Sequence, residues 1–139
     1  MLRYVLCCIA LGTTFLHGCG QAGDVDLGVV TGVVTLDNKP LKDALISFTP
    51  DQGGRPSFGI TGGDGRYVLD YSSKRRGALI GRHAVHISTV LEGPSEAGKG
   101  EPVTPLVEEK VPEKYRTKEG TVVVVESGRN QIDFALKND

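Results

Sequence analysis

The chain has 139 residues, with 16 basic and 17 acidic side chains and a formal net charge of −1. This length suits one domain plus a targeting segment, and the balanced charge excludes a global attraction to nucleic acid or to an anionic membrane surface. Nineteen glycines and seven prolines, with one methionine and no tryptophan, favour a turn-rich all-β fold over long helices.

The first eighteen residues have the order of a secretory signal peptide. Arg3 carries the single positive charge, twelve mostly apolar residues follow at 5–16, and the small Gly18 lies at the end. Twelve residues are too few for a transmembrane helix, which needs about 20 apolar residues to cross the hydrocarbon core. We therefore predict that residues 1–18 direct export and are then removed.

The segment Leu16-His17-Gly18-Cys19 follows this apolar run and resembles the lipobox of bacterial lipoproteins. The resemblance implies cleavage between Gly18 and Cys19, a diacylglyceryl group on the Cys19 thiol, and acylation of the new amino terminus. A small residue before the cleaved bond leaves room for the peptidase, and a thiolate is a suitable nucleophile for the lipid. The alternatives are an ordinary signal peptide with a chance cysteine, and a cytoplasmic protein with an apolar N-terminal helix.

Lipidation predicts an extracytoplasmic protein that is anchored in the cell membrane or the outer membrane. Each buried CH₂ contributes about 0.8 kcal/mol, so two or three acyl chains hold the protein permanently. Residues 19–28 are then the lipidated cysteine and a polar, glycine-containing tether. All three cysteines lie at positions 7, 8 and 19, so the domain at 29–139 is predicted to fold without disulfides.

The domain contains seven short runs with the alternation of β-strands, separated by turn residues. The predicted strands are 29–36, 44–49, 57–61, 66–71, 81–90, 121–126 and 131–136. The residues expected to face the core are Val30, Gly32, Val34, Leu36, Ile46, Phe48, Tyr67, Leu69, Tyr71, Val85, Ile87, Ile132, Phe134 and Leu136.

Glycine, proline, asparagine and aspartate mark the connections between these strands. Turns are predicted at 37–40, 50–56 and 127–130, and a loop at 72–79. Asp64-Gly65 predicts a hairpin with a type I′ turn, because both residues tolerate positive φ. The long segment 92–120 has no strand or helix periodicity. It is either a flexible excursion or a binding loop, and its end is expected to re-enter the core through Val111 and Tyr115.

Seven short strands indicate a two-sheet antiparallel β-sandwich. The segments VTGVVTLDNKPLKDALISFTP, GITGGDGRYVL, GRHAVHIS, VPEKY and QIDFAL together resemble the carboxypeptidase regulatory-like domain, over 29–136. The resemblance implies a transthyretin-like (prealbumin-like) sandwich of Greek-key type, as found in small bacterial lipoproteins. It also implies a non-catalytic module that binds or packs against other molecules, and it brings no active site to transfer.

The sequence contains no recognisable catalytic or metal-binding arrangement, so we predict a protein without enzymatic activity, metal or cofactor. His83 and His86 are three residues apart on one strand and therefore point to opposite faces, which argues against chelation. That spacing also differs from the iron site of intradiol dioxygenases, and the C-terminal ALKND differs from the tail of transthyretin-like hydrolases. An isopeptide bond from Lys39 or Lys42 to Asn130 is a remaining alternative.

The candidate binding residues are Lys74, Arg75, Arg76 and Arg82, which form a local cluster of basic side chains. They are either a solvated loop or a contact for phosphate headgroups or acidic polysaccharide. The predicted function is a structural or protein-binding role in the cell envelope; a carbohydrate-binding accessory domain is the alternative, although few aromatic residues are available as sugar platforms. The predicted partners are membrane lipid through Cys19 and an envelope protein or glycan, and no nucleic acid.

Overall fold

The computed structural model describes residues 24–90, 108–117 and 120–138. The predicted signal peptide, the predicted cleavage site at Gly18 and the predicted lipidation residue Cys19 lie outside these residues, as does most of the 92–120 segment. The described residues form an all-β fold with one short helix. Its elements are β1 (Leu27–Leu36), β2 (Lys39–Pro40), β3 (Leu45–Pro50), β4 (Ser57–Ile60), β5 (Arg66–Val68), β6 (Asp70–Ser72), β7 (Arg75–Arg76), β8 (Ala78–Leu79), β9 (Gly81–Ser88), α1 (Glu113–Arg116), β10 (Val122–Val125), β11 (Gly128–Gln131) and β12 (Phe134–Leu136).

The first sheet is organised around the ten-residue strand β1. This strand is antiparallel to β2, β5 and β8 and parallel to β11 and β12. Its valines and threonines favour extended backbone, and its alternate residues Val30, Gly32 and Val34 are buried as predicted. β1 therefore connects all the other strands of a mixed six-stranded sheet.

The second sheet is antiparallel throughout and has the order β10-β9-β3-β4-β6-β7. Its long central strands β3 and β9 pair over six residues, from Leu45 opposite Ser88 to Pro50 opposite His83. Ile46 and Phe48 on β3 are fully buried, as is Val85 on β9, so the predicted inward faces of both strands are confirmed.

Apolar side chains from both sheets meet in one core. The Phe48 ring of the second sheet lies edge-on to the Phe134 ring of the first, with 6.2 Å between centroids, and Tyr67 lies at the same distance from Phe134. Among the predicted core residues, Leu36, Tyr71 and Ile132 are half-buried and the others are buried. Val111 is buried and Tyr115 packs against the core, which confirms the predicted return of the 108–117 segment.

The described residues contain twelve strand segments. Two of the predicted runs are divided, and the first of these is divided where the chain passes from one sheet to the other. The run predicted at 66–71 becomes β5 in the first sheet and β6 in the second. Leu69 lies between them and donates its N–H to the Val30 carbonyl at 3.0 Å. The final run becomes β11 and β12, and the turn predicted at 127–130 is wrong, because Gly128–Gln131 pairs with β1 as β11.

The loop predicted at 72–79 is also wrong, since these residues contain most of a hairpin and a further strand. β6 and β7 pair with each other, and β8 pairs with the start of β1. Gly77 has φ of +111° and donates its N–H to the Leu69 carbonyl at 2.7 Å. This left-handed glycine turns the chain from the second sheet back to the first.

The Asp64-Gly65 turn is present, but the predicted hairpin is wrong, because β4 and β5 pair with other strands, and the predicted turn type is wrong too. Gly65 has φ of +74° while Asp64 has negative φ, and Gly65 N–H donates to Gly62 carbonyl at 2.9 Å. This pattern is a type I turn followed by a left-handed glycine, and it joins β4 and β5, which belong to different sheets. Positive φ at two successive residues, as a type I′ turn requires, occurs instead at Asp37 and Asn38 between β1 and β2.

Candidate functional site

A shallow, open cleft of about 480 Å³ lies where β4 of the second sheet meets β5 of the first. We call it the β4–β5 cleft. Its lining residues are Leu45, Phe58, Gly59, Ile60, Arg66, Tyr67, Val68 and Asp70.

The floor of the β4–β5 cleft consists of apolar side chains that point away from the core. Phe58, Ile60 and Val68 expose 45, 55 and 39 % of their surface. The outward positions of a half-exposed strand are ordinarily polar, and a contiguous exposed apolar patch marks an interaction surface. The cleft is therefore a candidate contact surface for apolar groups of another molecule.

Gly59 allows the two strands that form the cleft to approach each other. A Cβ atom at this position would lie 2.6 Å from the Val68 carbonyl oxygen and 3.2 Å from the Leu69 Cδ2 atom. Any side chain here would push β4 away from the segment that carries Val68. The close approach brings Phe58 and Ile60 beside Val68, although these residues belong to different sheets.

The rim of the cleft carries one positive and one negative side chain. Arg66 Nε lies 3.3 Å from Asp64 Oδ2, and Asp70 Oδ1 lies 3.9 Å from Arg76 Nε. Because each rim charge lies beside a side chain of opposite sign, the charges at the rim balance. The chemistry of the cleft suits apolar side chains flanked by polar backbone, as a polypeptide presents them.

The predicted basic residues Lys74, Arg75 and Arg76 lie together on the β6–β7 hairpin. Arg75 Nη1 lies 3.2 Å from Asp24 Oδ1, and its Nη2 donates to the Val25 carbonyl at 2.7 Å. The hairpin therefore holds the start of the described chain in place, and the charge of Arg75 is partly compensated.

The fourth predicted basic residue, Arg82, lies on β9. In the second sheet, β3, β4 and β6 separate β9 from β7. Arg82 Nε lies 3.3 Å from Asp51 Oδ2, so its ionic partner also differs from those of Arg75 and Arg76. The structure thus brings three of the four predicted binding residues together on one hairpin and places Arg82 on a different strand.

His83 and His86 point to opposite faces of β9, as predicted. The His83 ring is buried, with Nδ1 3.0 Å from the Gly81 carbonyl and its centroid 5.8 Å from that of Phe48. Burial lowers the pKa of His83, against smaller raising effects from Gly81 and Asp51. His83 is therefore a neutral core residue. Within 24–90, 108–117 and 120–138, no three or more His, Cys, Asp or Glu side chains are grouped to hold a metal ion.

Asn130 does not have the surroundings of an isopeptide bond to Lys39. Its Oδ1 accepts from the Glu126 N–H at 2.9 Å, and its Nδ2 donates to the Glu126 carbonyl at 2.8 Å and to the Val29 carbonyl at 3.3 Å. Along β1, Asn130 is paired with Val30 and Lys39 with Leu36, a separation of about 20 Å at strand spacing. Asn130 instead ties the end of β10 to β1.

Glu109 holds the returning segment against the end of β9, a role that no sequence pattern predicts. The Ser88 hydroxyl, the Thr89 hydroxyl and N–H, and the Val111 N–H all donate to its carboxylate. Partial burial raises the pKa of Glu109, but these hydrogen bonds outweigh it and lower the pKa to about 2. Ser88 and Thr89 lie about twenty positions before Glu109, and the segment that carries Glu109 has no periodicity, so no sequence pattern links the two.

The β4–β5 cleft is also not predicted from the sequence, although one feature of the sequence indicates part of it. In Ser57-Phe58-Gly59-Ile60 small residues alternate with large apolar ones, which indicates a strand whose bulky side lies on one face. The sequence did not reveal that this face points outward, since that depends on which neighbours fill the core.

No helix in the described parts of the chain combines the length and apolar character needed to cross a membrane. Comparisons of this chain with protein-family models, with curated proteins and with solved structures found no match.

Proposed function

We propose that this chain is a lipid-anchored module of the cell envelope that binds a protein partner through the β4–β5 cleft, without catalysis. The observation that carries the proposal is the outward placement of Phe58, Ile60 and Val68 in one patch. The lipobox-like segment ending at Cys19 supports the anchor. The partner is an envelope protein that inserts apolar side chains between the two charged residues of the rim.

The finer assignment of the fold belongs to this proposal. We infer a β-sandwich of the transthyretin-like, carboxypeptidase regulatory-like type. Two six-stranded sheets that share one core, and the motifs at 29–136 that resemble this family, support the inference. In a module of this type the β-sandwich is a rigid scaffold, and residues on its surface contact other molecules. The β4–β5 cleft would be such a surface.

The anchor also suggests which part of the domain lies closest to the lipid. Cys19 is five residues before Asp24, and five extended residues span at most about 18 Å. Because Arg75 contacts Asp24 and Val25, the β6–β7 hairpin lies within this reach of the lipidated residue. The basic side chains on this hairpin are then the ones nearest to the lipid headgroups.

The proposal is tested by site-specific photo-crosslinking in intact cell envelopes with the full-length chain. A photoreactive amino acid replaces Val68 in the cleft or, as the control, Ile80, which is 45 % exposed and does not line the cleft. We expect a defined protein adduct from position 68 only. The purified partner should then bind the native chain and lose at least tenfold in affinity with Ile60→Asp but not with Ile80→Asp.

Circular dichroism of both variants controls for folding. Equal adducts from positions 68 and 80, or equal affinities of the Ile60→Asp and Ile80→Asp variants, would overturn the assignment of the cleft. An adduct with glycan and no protein would replace it with the carbohydrate-binding alternative.

A further inference from the structure

The strand β10 forms one edge of the second sheet and is unusually apolar for an edge. Among the described strands it pairs only with β9. Val122 and Val124 expose 47 and 56 % of their surface. Exposed edge strands often carry lysine or proline, which prevent further pairing, and residues 121–125 contain neither.

The free hydrogen-bonding groups of this edge can be identified from the register. The Val85 N–H donates to the Thr121 carbonyl at 2.9 Å, so Thr121 and Val85 form a hydrogen-bonded pair. Hydrogen-bonded and non-hydrogen-bonded pairs alternate along an antiparallel ladder. Val123 and Val125 therefore bond to β9, and the N–H and C=O groups of Val122 and Val124 point away from the sheet.

The free part of the edge ends before Glu126. The backbone N–H and C=O of Glu126 would be the next pair to point away from the sheet, but both are bonded to Asn130. The Glu126 N–H donates to Asn130 Oδ1 and the Glu126 carbonyl accepts from Asn130 Nδ2. At the other end Gly120 lies outside β10, and its N–H donates to the Thr117 carbonyl at 3.2 Å. Within β10 an added strand can therefore use four backbone groups, two on Val122 and two on Val124.

These four groups are complementary to themselves. In an antiparallel pair, the side chains of opposite residues lie on the same face of the sheet. Because side chains alternate along each strand, two identical strands meet this condition only if odd-numbered residues lie opposite odd-numbered ones and even-numbered opposite even-numbered ones. The two-fold axis therefore passes through a residue. An axis at Val123 places Val122 opposite Val124 of the second copy, which gives four hydrogen bonds. An axis at Val124 would place Val122 opposite Glu126, whose groups are occupied, and would give only two.

We propose that two copies of this protein associate through β10, antiparallel and with the two-fold axis at Val123. The pairing places two exposed valines from each copy side by side on the outer face, which removes apolar surface from water. It consumes the β10 edge of both copies, so the association closes at a dimer. The contact is small, and attachment to a common membrane raises the effective concentration that it needs.

Disulfide trapping tests the register, with the full-length lipidated chain in liposomes. In the proposed dimer residue 123 faces itself in a non-hydrogen-bonded pair, in which Cα atoms are about 4.5 Å apart, within the range of a disulfide. Residue 124 is offset from its equivalent by two positions along the strand. We expect Val123→Cys to give a covalent dimer under mild oxidation, at least tenfold faster than Val124→Cys, and the unsubstituted chain to give none.

A second substitution tests the edge itself. Adding Val124→Lys to Val123→Cys should reduce trapping at least tenfold because it places a charge on the apolar edge, whereas adding Ile80→Lys should not. Circular dichroism confirms that each variant is folded. Equal trapping at 123 and 124, or trapping that survives Val124→Lys, would overturn the proposal, as would a native chain that stays monomeric by light scattering in detergent at up to millimolar concentration.

Discussion

The neighbouring strands β3 and β4 differ in the direction in which their large apolar side chains point. Ile46 and Phe48 on β3 point into the core, and their partners on β4 are Gly59 and Ser57. On the outer face Ser47 of β3 lies opposite Phe58 of β4. The large apolar side chains at these positions thus point inward from β3 and outward from β4. Core packing accounts for the residues of β3, and the outward residues of β4 are those that the proposed contact with a partner would use.

The two phenylalanines test this difference most directly. Phe48 is fully buried, whereas Phe58 is 45 % exposed. We expect Phe48→Ala to lower the free energy of unfolding by about 3 to 5 kcal/mol, because it leaves a cavity in the core. Phe58→Ala should change it by less than about 1 kcal/mol. Urea denaturation of both variants gives the comparison, and equal losses would show that Phe58 serves the core.

The pH dependence of stability tests the core around Phe48, because the ring of His83 on β9 lies beside the Phe48 ring. Burial lowers the pKa of His83 in the folded state from the usual 6.5. The unfolded chain therefore takes up a proton at higher pH than the folded chain, and the free energy of unfolding falls as the pH decreases below about 6.5. The fall ends once the pH is below the folded-state pKa.

Denaturation at several pH values between 7 and 5 measures this effect, and a His83→Phe variant is the control. It keeps an aromatic ring against Phe48 but has no titratable group. We expect the slope in this window to disappear in the variant. A slope that persists would assign the pH dependence to another group. The hydrogen bonds to Glu109 act at lower pH, because its pKa changes from 4.5 to about 2 on folding.

The sequence was sufficient for the parts of the fold that depend on local alternation. Val30, Val34, Ile46, Phe48, Val85 and Ile87 were all predicted to be inside, and all are buried. Each lies in a run where large apolar residues recur at every second position, and the period of two determines the face. The same reasoning correctly separated His83 from His86.

Features that depend on contacts between distant segments could not be predicted in this way. Leu69 marks the passage between sheets, but its neighbours Tyr67 and Tyr71 continue the same alternation, so nothing local signals the change. The parallel pairing of β11 with β1 joins residues 100 positions apart. The β4–β5 cleft exists because Gly59 lets β4 approach Val68, and only the folded arrangement places them together.

The smallest expected effect concerns Ser57, the polar residue that β4 turns toward the core. Its hydroxyl is buried and has no hydrogen-bond partner among the described residues, and an unpaired buried hydroxyl carries a desolvation cost. Ser57→Ala should therefore raise the free energy of unfolding by up to about 1 kcal/mol.

Thr61→Val is the matched control, because the Thr61 hydroxyl accepts from the Ala44 N–H at 2.9 Å. Loss of this hydrogen bond should lower the free energy of unfolding. Thermal unfolding of both variants measures the difference. If Ser57→Ala also destabilises the protein, the Ser57 hydroxyl contributes to the packing of the inner face of β4. Only Gly59 and the outward residues would then distinguish β4 from β3.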